Sequence, residues 1–444
     1  MQFSKNKKHQ YFFFFILTIY TIFNGGNSNI LIQINFILTS ILFLICLKDK
    51  NYNLHFLNFY ENNKKSILIF FIFISYLIFQ IIPLPIEILK FFALEKYKII
   101  NKLEIESLYF SISLSPSNSI FQILNFISLL MIAFIIKMIF YTERHKNRFY
   151  LFLSIIGFLS ALFAIVIYLI GNPDFLIFKN SYYKEASTGF FINRTAFAIF
   201  LLFSFISSLE LLKNFNYINK NKDNFFLKIY IRLFIIFITI GIITSFSRIG
   251  NFLLLLTIIY YSINEFFYVK KNDPSFRNTL ILIILFDIIL LGIYFGSSEI
   301  LDRFNLLKED FSQIYSLDLN LSRFQIIKFS LSELSNFLLF GYGSGAFETL
   351  FQNNFINSGS AYANHAHSDL IQFLGEFGLV GFSLLIISLS KFIFIKKNYN
   401  FINLILGTFL ITILLFDFSL HIPVIQFLFI TFFVLNLKST TRLN

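Results

Sequence analysis

Two histidines lie two residues apart in a polar segment of the C-terminal third of the chain. His365 and His367 stand in AYANHAHSDLIQFLGEF, and carboxylates follow at Asp369 and Glu376. An imidazole titrates near neutral pH and can take a proton from an attacking hydroxyl, while a carboxylate orients it. The segment therefore indicates general-base chemistry, and the alternative interpretation is a solvated loop end.

The same side chains could be considered as metal ligands. A zinc site needs three or four ligands at suitable spacing, and histidines two residues apart suit a turn better than a metal-binding helix face. The chain has one cysteine, Cys46, which lies within an apolar run. We therefore expect no metal and no cofactor.

Arginines form the second group of candidate residues. Lysine is much commoner than arginine in this chain, so a position that keeps arginine is a candidate phosphate ligand. Arginine binds phosphate oxygens through two N–H groups and stays charged at membrane depth. The alternative role is that of a helix-end anchor reaching the lipid headgroups. The candidates on the presumed outer side of the membrane are Arg194, Arg248, Arg303 and Arg323.

The elements that must position these residues are apolar. Hydrophobic residues make up 57% of the 444 residues and charged residues 14%, with a mean hydropathy of +0.73. Soluble domains carry about 25% charged residues. Runs such as LILIILFDIILLGIYF are nearly long enough to cross a bilayer, with interfacial aromatics completing the span. The composition predicts an all-α, polytopic transmembrane helical bundle of about 12 spans.

Hydropathy places these spans along the whole chain. The predicted spans are 11–23, 30–47, 66–82, 119–140, 149–170, 195–212, 229–245, 249–268, 279–296, 377–395, 400–416 and 423–437. When the N-terminus is cytoplasmic, the inner segments hold about twice as many Lys and Arg residues as the outer ones, as the positive-inside rule requires. The net charge of +12 thus reflects topology and not nucleic-acid binding. We expect a multi-pass inner-membrane protein with both termini cytoplasmic.

Two outer segments are too long to be simple turns. The segment near 83–118 has mixed polarity, which is typical of a helix lying at the membrane interface. The segment 297–376 forms a large periplasmic helical loop before the tenth span, and long loops usually carry function. The expected organisation is therefore 1–296 with spans 1–9, 297–376 with the active site, and 377–444 with spans 10–12.

Several segments in order resemble the O-antigen ligase/polymerase family. A His-Ser pair at 367–368, followed at fixed spacing by Gly378 and Gly381, is similar to the family's signature. Five further matches are IIPLPIEILKFF with SISLSPSNS, TGFFINRTAFAIFLL, SFSRIG, FGYGSGAF and DFSLHIP. The family has Asn and His where this chain has Thr195 and Ala196, which removes a possible second histidine.

This resemblance implies glycosyl transfer outside the cytoplasmic membrane. The donor would be a glycan on undecaprenyl pyrophosphate, and the acceptor would be a sugar hydroxyl on lipid A–core. His367 would act as the catalytic base, and the arginines neutralising the pyrophosphate would be Arg248 and Arg323, with Arg194 as a further ligand. Supporting substrate contacts would come from His365, Arg303 and Glu376.

Two other functions stay open at this point. A polymerase of the same family would use the same chemistry with another lipid-linked glycan as acceptor, so sequence does not separate it from a ligase. A secondary transporter is the alternative from another class, and transporters carry ion sites near the membrane midplane. Here the spans hold few carboxylates, chiefly Asp287, which favours glycan transfer.

Overall fold

The computed structural model describes residues 2–102, 107–173, 184–218, 225–268, 276–283, 285, 323–355, 362–393 and 401–437. Within these residues the fold is all-helical except for one short antiparallel pair of strands, β1 (Leu84–Pro85) and β2 (Tyr109–Phe110). Eight of the described helices are long and apolar enough to cross a membrane. The predicted all-α class is confirmed, together with a multi-pass membrane architecture.

The helices follow one another with short connections. They are α1 (Gln2–Ile22), α2 (Asn29–Lys48), α3 (Asn53–Ile81), α4 (Ile86–Phe92), α5 (Leu94–Lys102), α6 (Pro116–Ile139), α7 (Glu143–Leu169), α8 (Arg194–Ile218), α9 (Phe225–Thr244), α10 (Arg248–Ile263), α11 (Arg323–Leu334), α12 (Phe347–Asn354), α13 (Asp369–Ile393), α14 (Phe401–Phe416) and α15 (Pro423–Leu435). Residues 276–283 are also helical. The 3-10 turns are Asn24–Gly26, Lys50–Tyr52, Ser335–Phe337 and Ser419–His421, and a π-turn spans Asn264–Tyr268.

Most predicted spans coincide with these helices. The eight span candidates are Asn29–Lys48, Lys50–Ile81, Pro116–Ile139, Glu143–Leu169, Arg194–Asn214, Phe226–Thr244, Arg248–Phe267 and Asp369–Ser390. Two shorter apolar helices, α14 and α15, match the predicted spans at 400–416 and 423–437. The count of about twelve stays a prediction, because the span at 279–296, with Asp287, lies mostly outside the described residues.

One helix begins earlier than the hydropathy pattern predicts. The tenth span was expected from 377, but α13 begins at Asp369 and continues across a kink at Gly378, whose φ is 65° and ψ 175°. The residues before the kink are polar enough that hydropathy assigns them to the loop, whereas an acidic residue in the first turn stabilises a helix N-terminus. Glu376 therefore lies in a helix and not at the end of the 297–376 loop.

Helix α8 forms the centre of the bundle. Apolar and small side chains surround its whole circumference, which is typical of a helix buried on every side. It packs against α7, α9, α10 and α15. A Cβ atom added at Gly157 of α7 would lie 2.2 Å from the Cβ of Ser204 of α8, so a small residue is required for this close approach.

The two ends of the bundle differ in their polar contacts. At one end, basic side chains tie helices together: Lys137 Nζ donates to Leu437 O at 2.9 Å and Arg148 Nη1 donates to Gln10 Oε1 at 3.2 Å. The candidate residues that the structure describes lie at the opposite end, where α8, α10 and α13 begin. We call this opposite end the site end.

Candidate functional site

The histidine pair lies in an irregular segment directly before α13. Ala366, between the two histidines, is fully buried and donates its N–H to Gln372 Oε1 at 3.0 Å. His367 has a φ of 58°, in the left-handed region that side-chain-bearing residues adopt only rarely. The rings of His365 and His367 lie 4.8 and 5.0 Å from the ring of Phe418. The pair therefore lies in an irregular segment and not on a helix face.

Both imidazoles are poor proton acceptors compared with an ordinary histidine. Burial, with the neighbouring His421, lowers the pKa of His365 to about 3. Burial, with the Arg323 cation, lowers the pKa of His367 to about 4. Both rings are consequently neutral at pH 7, whereas the sequence alone suggested titration near neutrality.

Asp369, the first residue of α13, is fully buried and holds the turn that precedes α15. Its carboxylate accepts the N–H of Leu420 at 2.8 Å and pairs with Nδ1 of His421. Its own N–H donates to Asp417 O at 2.7 Å. The first turn of α13 and the Ser419–His421 turn are therefore joined through both the side chain and the backbone of one residue.

Glu376 lies two helical turns further along α13 and is also buried. One carboxylate oxygen, Oε1, accepts from Gln372 Nε2 at 2.8 Å, and the other, Oε2, accepts the N–H of Gly345 at 2.9 Å. Gln372 also holds the N–H of Ala366. Glu376 thus connects the glycine-rich turn at residues 341–345 with the segment that carries the two histidines.

His421 is the functional candidate that the sequence did not reveal. Its Nδ1 faces Asp369, its Nε2 lies 3.7 Å from Glu376 Oε1, and its ring stacks on Phe373 at 4.2 Å. Burial alone would lower its pKa, but the carboxylate of Asp369, and then that of Glu376, raise it to about 9. The one available signal was its place in DFSLHIP, a segment already matched to the family.

The glycine-rich turn packs directly on the kink of α13. Gly341 and Gly343 have φ values of 73° and 99°, and a Cβ atom at Gly341 would lie 2.3 Å from Glu376 O. The N–H groups of Gly343 and Gly345 donate to Glu376, to its carbonyl at 3.1 Å and its carboxylate at 2.9 Å. The glycines therefore allow a tight turn with close backbone approach, and these amides are used within the protein.

Arg194 and Arg248 are the first residues of two adjacent helices. Their neighbours are in contact, because Ser247 Oγ donates to Thr195 Oγ1 at 3.2 Å. Ser247 also caps α10 by accepting the N–H of Gly250 at 3.1 Å. Arg194 is half-buried and Arg248 is exposed. Two helix N-termini, each with an arginine and a partial positive charge, provide an environment that favours an anion.

The 3-10 turn Asn24–Gly26 connects these arginines with the Ser419–His421 turn. Asn24 Oδ1 accepts the N–H of Ile192, two residues before Arg194, at 2.8 Å. Gly25 packs against Ile422, since a Cβ atom there would lie 2.6 Å from Ile422 Cγ2. The Ser419–His421 turn also packs against α8. The arginine pair and the histidine group consequently lie at the same end of the bundle.

Arg323 is exposed at the first residue of α11, and α11 packs on α13. It is near enough to influence His367 and Asp417 electrostatically. Burial raises the pKa of Asp417 to about 6, although the hydroxyl of Ser419 and the Arg323 cation oppose this. Arg303 lies outside the described residues. Within the part of the chain that is described, no group of three or more His, Cys, Asp and Glu side chains could hold a metal ion.

Residues 233–386 match the family model described as O-antigen ligase. The chain therefore carries a segment similar to the O-antigen ligase family. The match covers about a third of the sequence and includes the SFSRIG segment, the glycine-rich turn and the histidine pair. No curated protein matches the chain. The resemblance predicted from the ordered segments is thereby confirmed.

The predicted residues that the structure describes fall into two groups at the site end. Around the start of α13 lie His365, His367, Glu376 and Arg323. At the paired helix N-termini lie Arg194 and Arg248. The residues to which the sequence gave no leading role, and which the structure adds, are His421, Asp417 and Gln372.

Proposed function

We propose that this protein is an O-antigen ligase-like glycosyltransferase acting on the periplasmic face of the bacterial inner membrane. It transfers a glycan from undecaprenyl pyrophosphate to a sugar hydroxyl of lipid A–core. The observation that carries this proposal is the family match over the segment that contains both Arg248 and His367. The position of Arg194 beside Arg248 gives further support.

The proposal includes a topology of about twelve spans with both termini cytoplasmic. Residues 297–376 then form a periplasmic loop, and helices α4 and α5 lie at the outer interface. In support, exposed apolar side chains cluster there, namely Ile88, Phe91, Leu94, Leu108 and Tyr109. Lys137 and Arg148 lie at the opposite end of the bundle, as the positive-inside rule expects for the cytoplasmic side.

The reaction is a displacement at the anomeric carbon of the donor sugar. The acceptor oxygen forms a bond to that carbon while the bond from carbon to the pyrophosphate oxygen breaks. His367, neutral at pH 7, takes the acceptor proton, and undecaprenyl pyrophosphate leaves with the bonding electron pair. Arg194 and Arg248 neutralise the leaving group, and Arg323 contributes further positive charge beside His367.

Purified protein in detergent tests this function directly. Incubation with an undecaprenyl-pyrophosphate glycan and lipid A–core should give a glycan-bearing lipid A–core. Extension of the lipid-linked glycan when only donor is supplied would instead identify a polymerase. Substrate-coupled ion flux in liposomes without any transfer would support the transporter alternative and overturn the proposal.

A further inference from the structure

His421 belongs to the Ser419–His421 turn and lies where this turn meets the glycine-rich turn and the histidine pair. Asp369 joins its ring to the start of α13, and Glu376 faces it from the next turns of the same helix. Phe373 covers one ring face at 4.2 Å, and only about 5% of the side chain is exposed. A ring with so little exposed surface acts through the side chains that it contacts.

We propose that His421 is a positioning residue that holds Asp369 and Glu376 in place and thereby fixes the segment carrying His365 and His367. The expected effect of His421 on the transfer rate rests on the proposed glycosyl transfer. The structural part concerns contacts within this chain and holds for any reaction at the site end.

The charges around the ring favour its doubly protonated form. Both ring nitrogens face carboxylate oxygens, and only an imidazolium presents an N–H on each side. The other titratable groups nearby are His365, whose ring centroid lies 5.4 Å away, and Asp417 of the same loop. His365 is neutral at pH 7, so His421 supplies the positive charge between Asp369 and Glu376. Without it, no basic side chain among the described residues would form an ion pair with either of these two buried carboxylates.

A continuous set of hydrogen bonds leads from this ring to the histidine pair. Glu376 accepts from Gln372, and Gln372 accepts the N–H of Ala366, which stands between the two histidines. His367 keeps a left-handed backbone, and such a conformation persists only where surrounding contacts determine it. A change at His421 should therefore reach His367 although the two rings serve different purposes.

The first test compares His421→Gln with the double variant His421→Gln/Asp369→Asn. We expect His421→Gln to lower the Tm, because it leaves buried carboxylates unpaired, and Asp369→Asn to restore most of that loss when the two are combined. The matched control is His55→Gln, at a ring stacked on Tyr141 in another part of the bundle, and it should leave the Tm unchanged. Additive Tm changes in the double variant would overturn the proposal.

The second test needs no substrate and reports on His367 itself. Diethylpyrocarbonate modifies neutral imidazoles, and mass spectrometry gives the rate at each histidine. His421→Gln should change the rate at His367 at least threefold, whereas His55→Gln should not. If the single variant does not fold, the double variant carries this test, and a wild-type rate at His367 would contradict the positioning role.

The third test links positioning to catalysis. In His421→Gln the kcat for glycan transfer should fall about 100-fold, the size of loss that a small misplacement of reacting groups causes. The KM for the donor should stay the same, because Arg194 and Arg248 are untouched. A raised donor KM with unchanged kcat would contradict the proposal. If the wild type shows no transfer at all, the proposed function fails, while the Tm and modification results still decide the role of His421.

Discussion

At the scale of single residues, the arginines and histidines of the site end occupy different environments. Arginines stand at exposed or half-buried helix N-termini, where a guanidinium can reach a phosphate in two-point contact. The rings of His365 and His367 both lie against Phe418, and burial lowers the pKa of each so that both are neutral at pH 7. This division suits a reaction in which a pyrophosphate leaves from one side while an acceptor hydroxyl loses its proton on the other.

The low pKa of His367 predicts an unusual pH profile. Because this pKa is about 4, the base is already neutral from pH 6 to pH 8, and the transfer rate should not rise through His367 in that range. The rate should fall only as the pH drops through about 4, where the ring becomes protonated. Single-turnover rates measured from pH 4 to pH 8 check this. A step near pH 6.5 that persists in Asp417→Asn, which removes the nearby group with a pKa of about 6, would contradict it.

The arginine pair predicts that a positive charge without the two-point geometry of a guanidinium does not support full activity. Arg194→Lys and Arg248→Lys should each lower kcat/KM roughly 10- to 100-fold, since a lysine loses one charge-assisted hydrogen bond to the pyrophosphate. Arg144→Lys is the matched control, because Arg144 is also exposed in the first turn of a helix but lies away from the site end. Wild-type turnover in both test variants would leave these arginines only an anchoring role.

At the scale of elements, the kink of α13 brings the glycine-rich turn onto Glu376. Gly378 combines a positive φ with a ψ of 175°, a region that is essentially restricted to glycine. A Cβ atom there would lie 2.3 Å from the carbonyl oxygen of Leu339. The glycine that follows the His-Ser pair in the sequence is therefore required at this position for steric reasons.

Alanine substitution tests whether glycine is required at position 378. Gly378→Ala should destabilise the protein by about 1–3 kcal/mol from backbone strain, and the clash with Leu339 should add to this. Gly407→Ala is the control, because this helical glycine has nothing within 4 Å of an added Cβ and should be neutral or stabilising by about 0.5–1 kcal/mol. Thermal unfolding in detergent measures both. Equal Tm values for Gly378→Ala and wild type would refute the steric account.

The elements also show how far sequence reasoning reaches. Long apolar runs predicted most helices, and the ordered motifs led to His367 and the arginines. His421 was missed because its partners Asp369 and Glu376 are about 50 residues away in sequence and meet it only in the folded bundle. The start of α13 was misplaced because hydropathy responds to polarity, whereas buried polar contacts keep that polar turn helical.

At the scale of the whole molecule, the bundle has one end where basic side chains bind neighbouring helices and another where the candidate residues gather. The orientation of the bundle in the membrane determines which compartment the site end faces. The distribution of Lys and Arg predicts that this compartment is the periplasm. The periplasm holds no nucleotide sugars or ATP, so the proposed donor's pyrophosphate would have to drive the transfer there.

Reporter fusions test this orientation. Fusions at Gly359 and Asn272 should report opposite compartments, with Gly359 periplasmic and Asn272 cytoplasmic. A pair of reporters, one active only in the periplasm and one only in the cytoplasm, gives complementary signals at each position. A cytoplasmic signal from Gly359 would remove the proposed reaction from the side on which its substrates lie.

The most direct test of the whole account is transfer by His367→Ala together with its donor affinity. The variant should lose about 10²–10⁴-fold in transfer rate, the usual loss for a missing general base, while binding of the undecaprenyl-pyrophosphate glycan stays close to wild type. His365→Ala should keep measurable activity, because its ring is enclosed against Phe418. Normal turnover in His367→Ala would contradict the account, since the acceptor would then be activated by another group at the site end.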